Sequence, residues 1–124
     1  MTDTLLRRAL YGNALFSTLS GGAMILAAPV LSPWMGLSVP WILPAIGFGL
    51  LGFAAHVAWT ASREVVPGTQ VVGIVVGDLS WVIGTAPLLA LGPLSPAGDV
   101  AAASVAAIVG LFAGLQAVGL VRRG

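Results

Sequence analysis

Gln70–Leu91 reads QVVGIVVGDLSWVIGTAPLLAL, an apolar stretch with a single ionisable residue, Asp78, inside it. The run reaches the ~20 residues that a helix needs to cross the hydrocarbon core of a bilayer. Its glycines and β-branched residues would be poor helix formers in water, but both are tolerated in membrane helices. A carboxyl group at such depth costs about 3 kcal/mol or more, and intramembrane acids mark functional sites. The stretch therefore decides the class of the protein, an integral membrane helix bundle, and singles out Asp78 as its most informative residue.

The rest of the chain agrees. Of its 124 residues, 58% are hydrophobic and only 7% are charged, and the mean hydropathy is +1.05. A soluble domain of this size has too little interior to hide that apolar surface, so lipid is the solvent. There is no cysteine, which excludes disulfides, Cys-ligated zinc and iron–sulfur clusters. A net charge of +1 is too small for a nucleic-acid footprint. No residue pattern calls for a cofactor, and a single histidine, His56, is too few for a metal site within one chain.

Three further apolar stretches resemble the first. The spans are predicted at about 9–31, 41–61, 70–91 and 100–121. Ser32-Pro33 and Pro40 bracket the first connection, Pro67-Gly68 the second, and Gly92-Pro93 with Pro96 the third, and such clusters end helices. The apolar run from Ala9 exceeds the ~7–15 residues of a signal-peptide core, so it reads as the first membrane helix. The expected architecture is all-α: one integral membrane domain over residues 1–124, a four-transmembrane-helix bundle running up-down-up-down with short loops. All five cations, Arg7, Arg8, Arg63, Arg122 and Arg123, fall at the same side of this arrangement. The positive-inside rule places that side, and both termini, in the cytoplasm.

Each span carries one strongly polar residue. At ~1.5 Å per residue, Asn13, His56, Asp78 and Gln116 lie roughly 8–12 Å from the arginine-bearing ends. Asn13 and Ser17 share one helical face, and Ser80 and Trp81 adjoin Asp78 on the third span. Asn13, Ser17, His56, Asp78, Ser80, Trp81 and Gln116 are thus the candidate polar cluster for a ligand or a proton. Amide, hydroxyl and imidazole groups in bundles also serve as plain interhelical glue, worth ~1 kcal/mol each. A carboxyl is a costlier glue. Small residues repeat at steps of three and four through Gly49 and Gly52, through Gly73, Gly77 and Gly84, and through Gly110 and Gly114. Such stripes let helices approach closely, so these glycines are expected at helix contacts.

Three segments, RRALYGNALFSTLSG (7–21), GDLSWVIG (77–84) and LFAGLQAVGLVRR (111–123), resemble an uncharacterised family of small four-helix bacterial membrane proteins. The resemblance implies a multi-pass protein of the bacterial cytoplasmic (inner) membrane and carries no activity with it. The residues themselves suggest an accessory or complex subunit, or a bundle that binds a small ligand or lipid. The partners would be the bilayer and either a larger membrane complex or further copies of the chain. The alternative is a proton-coupled or small-solute transporter, working as an oligomer with Asp78 and His56 as titrating groups. No nucleophile stands beside a base, so the pattern leans away from an enzyme.

Overall fold

In the computed structural model, which describes residues 3–123, the chain is helical, with no strand among the described residues. The helices are α1 (Thr4–Leu26), α2 (Ala28–Trp34), α3 (Ile42–Ser62), α4 (Gly68–Leu91) and α5 (Pro96–Arg123). Three of them, α3, α4 and α5, are long and apolar enough to cross a membrane, and α1 with α2 makes a fourth span if the bent pair is counted as one.

That bend corrects the expected first span. The stretch 9–31 is not one straight helix: α1 and α2 meet at Ala27 and diverge by 91°. Pro29 supplies the reason. It has no N–H to give the carbonyl of Ile25, and its ring clashes with that carbonyl if the helix runs straight on. The chain leaves α1 at Ala27 and restarts with Pro29 in the first turn of α2, where a missing donor costs nothing. α2 then closes on Gly36, whose φ of 82° is left-handed. Gly36 N–H donates to Pro33 O at 3.0 Å and Leu37 N–H to Ser32 O at 2.8 Å, the two bonds of a Schellman motif. Ser95 ties this turn to α5: its N–H donates to Met35 O at 2.9 Å and its hydroxyl to Trp34 O at 2.7 Å.

The long helices pack unevenly. α1 lies mainly against α3 and also along α5, and α4 lies along α5, while α3 and α4 barely touch. The four-sided bundle therefore has three closed seams and an open one. A solid apolar core fills the end nearest the arginines: Leu6, Leu10 and Ala14 of α1 meet Val57 and Ala61 of α3 and Val71 and Ile74 of α4. Arg7 and Arg123 lace that end together. Arg7 donates to the carbonyls of Ala61, of Arg63 at 2.7 Å and of Glu64 at 3.3 Å, which neutralises the negative end of α3. It also pairs with Asp3 at 2.7 Å, and this hydrogen bond holds the Asp3 carboxyl below its ordinary pKa. From the far end of α5, Arg123 Nη1 donates to Val66 O at 2.5 Å.

The glycine expectation needs correcting in detail. A Cβ at Gly49, Gly52, Gly73, Gly84 or Gly114 would meet nothing within 4 Å, and one at Gly77 or Gly110 would make only ordinary contacts, with Phe53 at 3.4 Å and Val82 at 3.7 Å. The close approaches lie elsewhere. A Cβ on Gly47 would sit 2.6 Å from Gly21 O, and one on Gly119 would sit 2.8 Å from the Cα of Leu6. These are the crossing points of α1 with α3 and with α5. The periodicity identifies small-residue faces correctly. It does not say which face meets a neighbour, and α3 turns its Leu43–Gly47–Ala54–Val57–Ala61 face to the interior instead.

Gly47→Ala should therefore destabilise the fold by ~1–3 kcal/mol through overpacking. Gly73→Ala should be neutral or gain up to ~1 kcal/mol in helix propensity. Thermal unfolding of both variants in detergent tests the contrast, and equal midpoints for the two would refute this packing.

Candidate functional site

Asp78 lies on the interior face of α4, in line with Val71, Ile74 and Thr85. It is 2% exposed, and Asn13 and Gln116 are fully buried beside it. Asn13 comes from the buried stripe of α1 and Gln116 from that of α5, so three helices contribute one residue each. The side chains close a ring. Asn13 Nδ2 donates to Asp78 Oδ2 at 3.0 Å and to Gln116 Oε1 at 2.9 Å. Gln116 Nε2 donates to the same Asp78 Oδ2 at 2.8 Å. Ser17 adds a fourth member, its hydroxyl donating to Asn13 Oδ1 at 3.3 Å. Both amide groups of Asn13 and Gln116 are thereby engaged as donor and acceptor, which is what burial in a low-dielectric interior requires.

The sequence cluster is thus only partly assembled. Asn13, Ser17, Asp78 and Gln116 converge. His56 does not: it is exposed on the outer face of α3, because Ala54 and Val57 take the interior positions. Its ring stacks on Trp59 at 6.2 Å between centroids, and the Arg63 guanidinium lies 5.1 Å over Trp59. His56, Trp59 and Arg63 form one outer stripe. Ser80 is likewise exposed, its hydroxyl turned back on its own helix to Val76 O at 2.8 Å. Trp81, next along α4, faces the open seam.

That seam gives the site its access. A cleft of about 350 Å³ separates α3 from α4, with Gly49, Leu50 and Phe53 on one wall and Gly77, Asp78 and Trp81 on the other. Beyond Ile46 and Trp81 lies a second cavity of about 530 Å³, lined almost wholly by apolar side chains and roofed by Leu31, Trp34 and Met35 at the turn of α2. Both volumes fall within the ~300–1,000 Å³ typical of small-molecule pockets. Gly49, whose Cβ would meet nothing, and Gly77, whose Cβ would only touch Phe53, add no bulk to the cleft walls. From sequence, Phe53, Ile46 and Leu50 carry no signal of this role, since they read as ordinary lipid-facing or core residues. Arg7 was legible only as a topogenic charge, because its carbonyl partners lie on a different helix.

Among the described residues, no group of three or more His, Asp or Glu side chains comes together. Comparison with known protein families, curated proteins and solved structures gives no match.

The ring makes two substitutions at Asp78 differ sharply. Asp78→Asn leaves one oxygen to accept from both Asn13 and Gln116, so stability should change little. Asp78→Leu strands both donors and should cost about 1–3 kcal/mol for each. Reversible unfolding in mixed micelles measures the two, and a leucine variant as stable as the asparagine variant would contradict the ring.

Proposed function

We propose that this protein is a multi-pass membrane protein that binds a small lipid-like ligand through the open side of its bundle. The observation that carries the reading is the pairing of an apolar cleft with a buried carboxyl. The α3–α4 seam opens on Asp78 and continues beside Trp81 into the larger apolar cavity. A ligand arriving from the bilayer would enter sideways, without crossing water. Its apolar part would replace lipid tails against Ile46, Phe53 and Trp81, while its polar part would reach the ring. The grouping of Arg7, Arg63 and Arg123 at one end supports an orientation with that end, and both termini, in the cytoplasm of a bacterial cell. Reporter fusions at the C-terminus that are active in the cytoplasm and silent in the periplasm are the expected result for this orientation.

The ligand reading is tested by filling the cleft. In native mass spectrometry from mild detergent, the wild-type protein should carry a lipid-sized adduct. Gly49→Leu, placed where a Cβ meets no protein atom within 4 Å, should fold normally and lose it. An adduct of equal mass and occupancy on both proteins would remove the basis of the proposal.

A second reading rests on the unfilled glycine faces. Gly52, Gly73 and Gly84 stand open, which suits a partner helix from a larger complex or another copy of the chain. A proton-coupled transporter would use the same cleft with Asp78 as its titrating group. Asp78→Asn would then abolish proton-coupled uptake in proteoliposomes.

A further inference from the structure

The two carboxyl oxygens of Asp78 are not equivalent. Oδ2 accepts from both Asn13 and Gln116. Oδ1 accepts no hydrogen bond from the described residues, and Asp78 forms part of the cleft wall. The ring thus holds the carboxyl through one oxygen and leaves the other free of the ring.

Among the described residues, no cation forms an ion pair with Asp78. The one ion pair among the described residues is Arg7 with Asp3, and Arg7 is otherwise engaged by carbonyls of α3 and the following turn. Arg63 covers Trp59 on the outer face, and Arg123 binds Val66 O. His56 points outward beside Trp59. The remaining cleft wall is apolar, and two aromatic residues, Phe53 and Trp81, share it with the carboxyl. A carboxyl that shares a wall with aromatic residues recognises a cation that also donates hydrogen bonds, through an ion pair and N–H···O bond and through cation–π attraction.

We infer that the ligand of the cleft is an amphiphile with a primary ammonium headgroup, held by Asp78 Oδ1 beside Phe53 and Trp81, with its chain in the cavity beyond. This rests on the reading of the cleft as a ligand site and names the class of ligand. A primary ammonium presents three donors, of which Oδ1 takes one. Its apolar chain passes Ile46 and Trp81, which line both the cleft and the larger cavity. An anionic headgroup would face an oxygen with no donor beside it, and an uncharged alcohol would gain a hydrogen bond without the charge.

Trp81 reports occupancy directly. In a Trp34→Phe, Trp41→Phe, Trp59→Phe background it is the remaining tryptophan of the chain. The protein is placed in zwitterionic phosphatidylcholine nanodiscs and titrated with a terminally brominated long-chain alkylammonium, or with the matched brominated alcohol. Bromine quenches indole on contact. The ammonium should half-quench Trp81 at a concentration at least ~10-fold below the alcohol, as a charge-assisted bond implies. Asp78→Asn should erase that difference and leave the alcohol curve in place. Gly49→Leu should protect Trp81 from both. Equal potency of the two amphiphiles on the wild-type protein would overturn the ammonium assignment, whether or not the asparagine variant folds. If Gly49→Leu still protected Trp81 in that case, the cleft would stand as a ligand site for uncharged chains. If Gly49→Leu gave no protection, both the assignment and the cleft reading would fall.

Discussion

The need to satisfy one carboxyl group inside an apolar bundle organises the middle of this protein. Asp78 cannot be left to lipid, and no cation among the described residues meets it. Two amides do so instead, one from α1 and one from α5, and they also bond to each other. A ring of this kind has a register requirement. Sliding α1 or α5 by one residue would move Asn13 or Gln116 ~100° around its helix and leave the carboxyl bare. The ring therefore fixes three helices in depth and rotation at once, which apolar packing in lipid does weakly, since lipid tails are as apolar as leucine.

On either side of this polar layer the bundle differs in kind. Toward the arginines it is solid, with Leu6, Leu10, Val57, Val71 and Ile74 fully or almost fully buried and Arg7 and Arg123 drawing the α3–α4 turn against the helix ends. Toward the other end it is hollow. The proline-broken α2 turns away from the line of α1, and its residues Leu31 and Trp34 line the cavity at that end. The same geometry serves both halves. The helices are held at one end and by the ring, and the seam with the weakest contact is α3 against α4.

This arrangement explains the otherwise odd abundance of glycine away from close contacts. At Gly21, Gly47 and Gly119 a side chain would strike a neighbouring backbone, so glycine there sets the distance between helices. At Gly49 and Gly77 it adds no bulk to the walls of an opening. Both uses follow from the absence of a Cβ, and only the neighbour, present or missing, distinguishes them.

Much was legible in the sequence for simple reasons. Apolar length and flanking proline and glycine report on the exchange between chain and solvent, and the extent of each helix answers to that alone. Asn13, Ser17, Asp78 and Gln116 could be anticipated as a group because depth along a helix follows from residue count. Rotation does not. Whether His56 joins the ring depends on which face α3 offers to α1, and that was decided by Gly47 meeting Gly21, a contact between residues of no polarity. The bend at Ala27 was likewise written in Pro29, but its size comes from how the turn at Gly36 docks on Ser95 of another segment. The open seam had no sequence signal at all: a helix face looks the same in sequence whether a partner covers it or not. Composition and spacing pointed to a helical membrane protein with one strongly polar residue on each long helix. Tertiary packing alone decided which of them meet, because meeting depends on how helices turn toward one another, and that is settled by pairwise contact rather than by any helix alone.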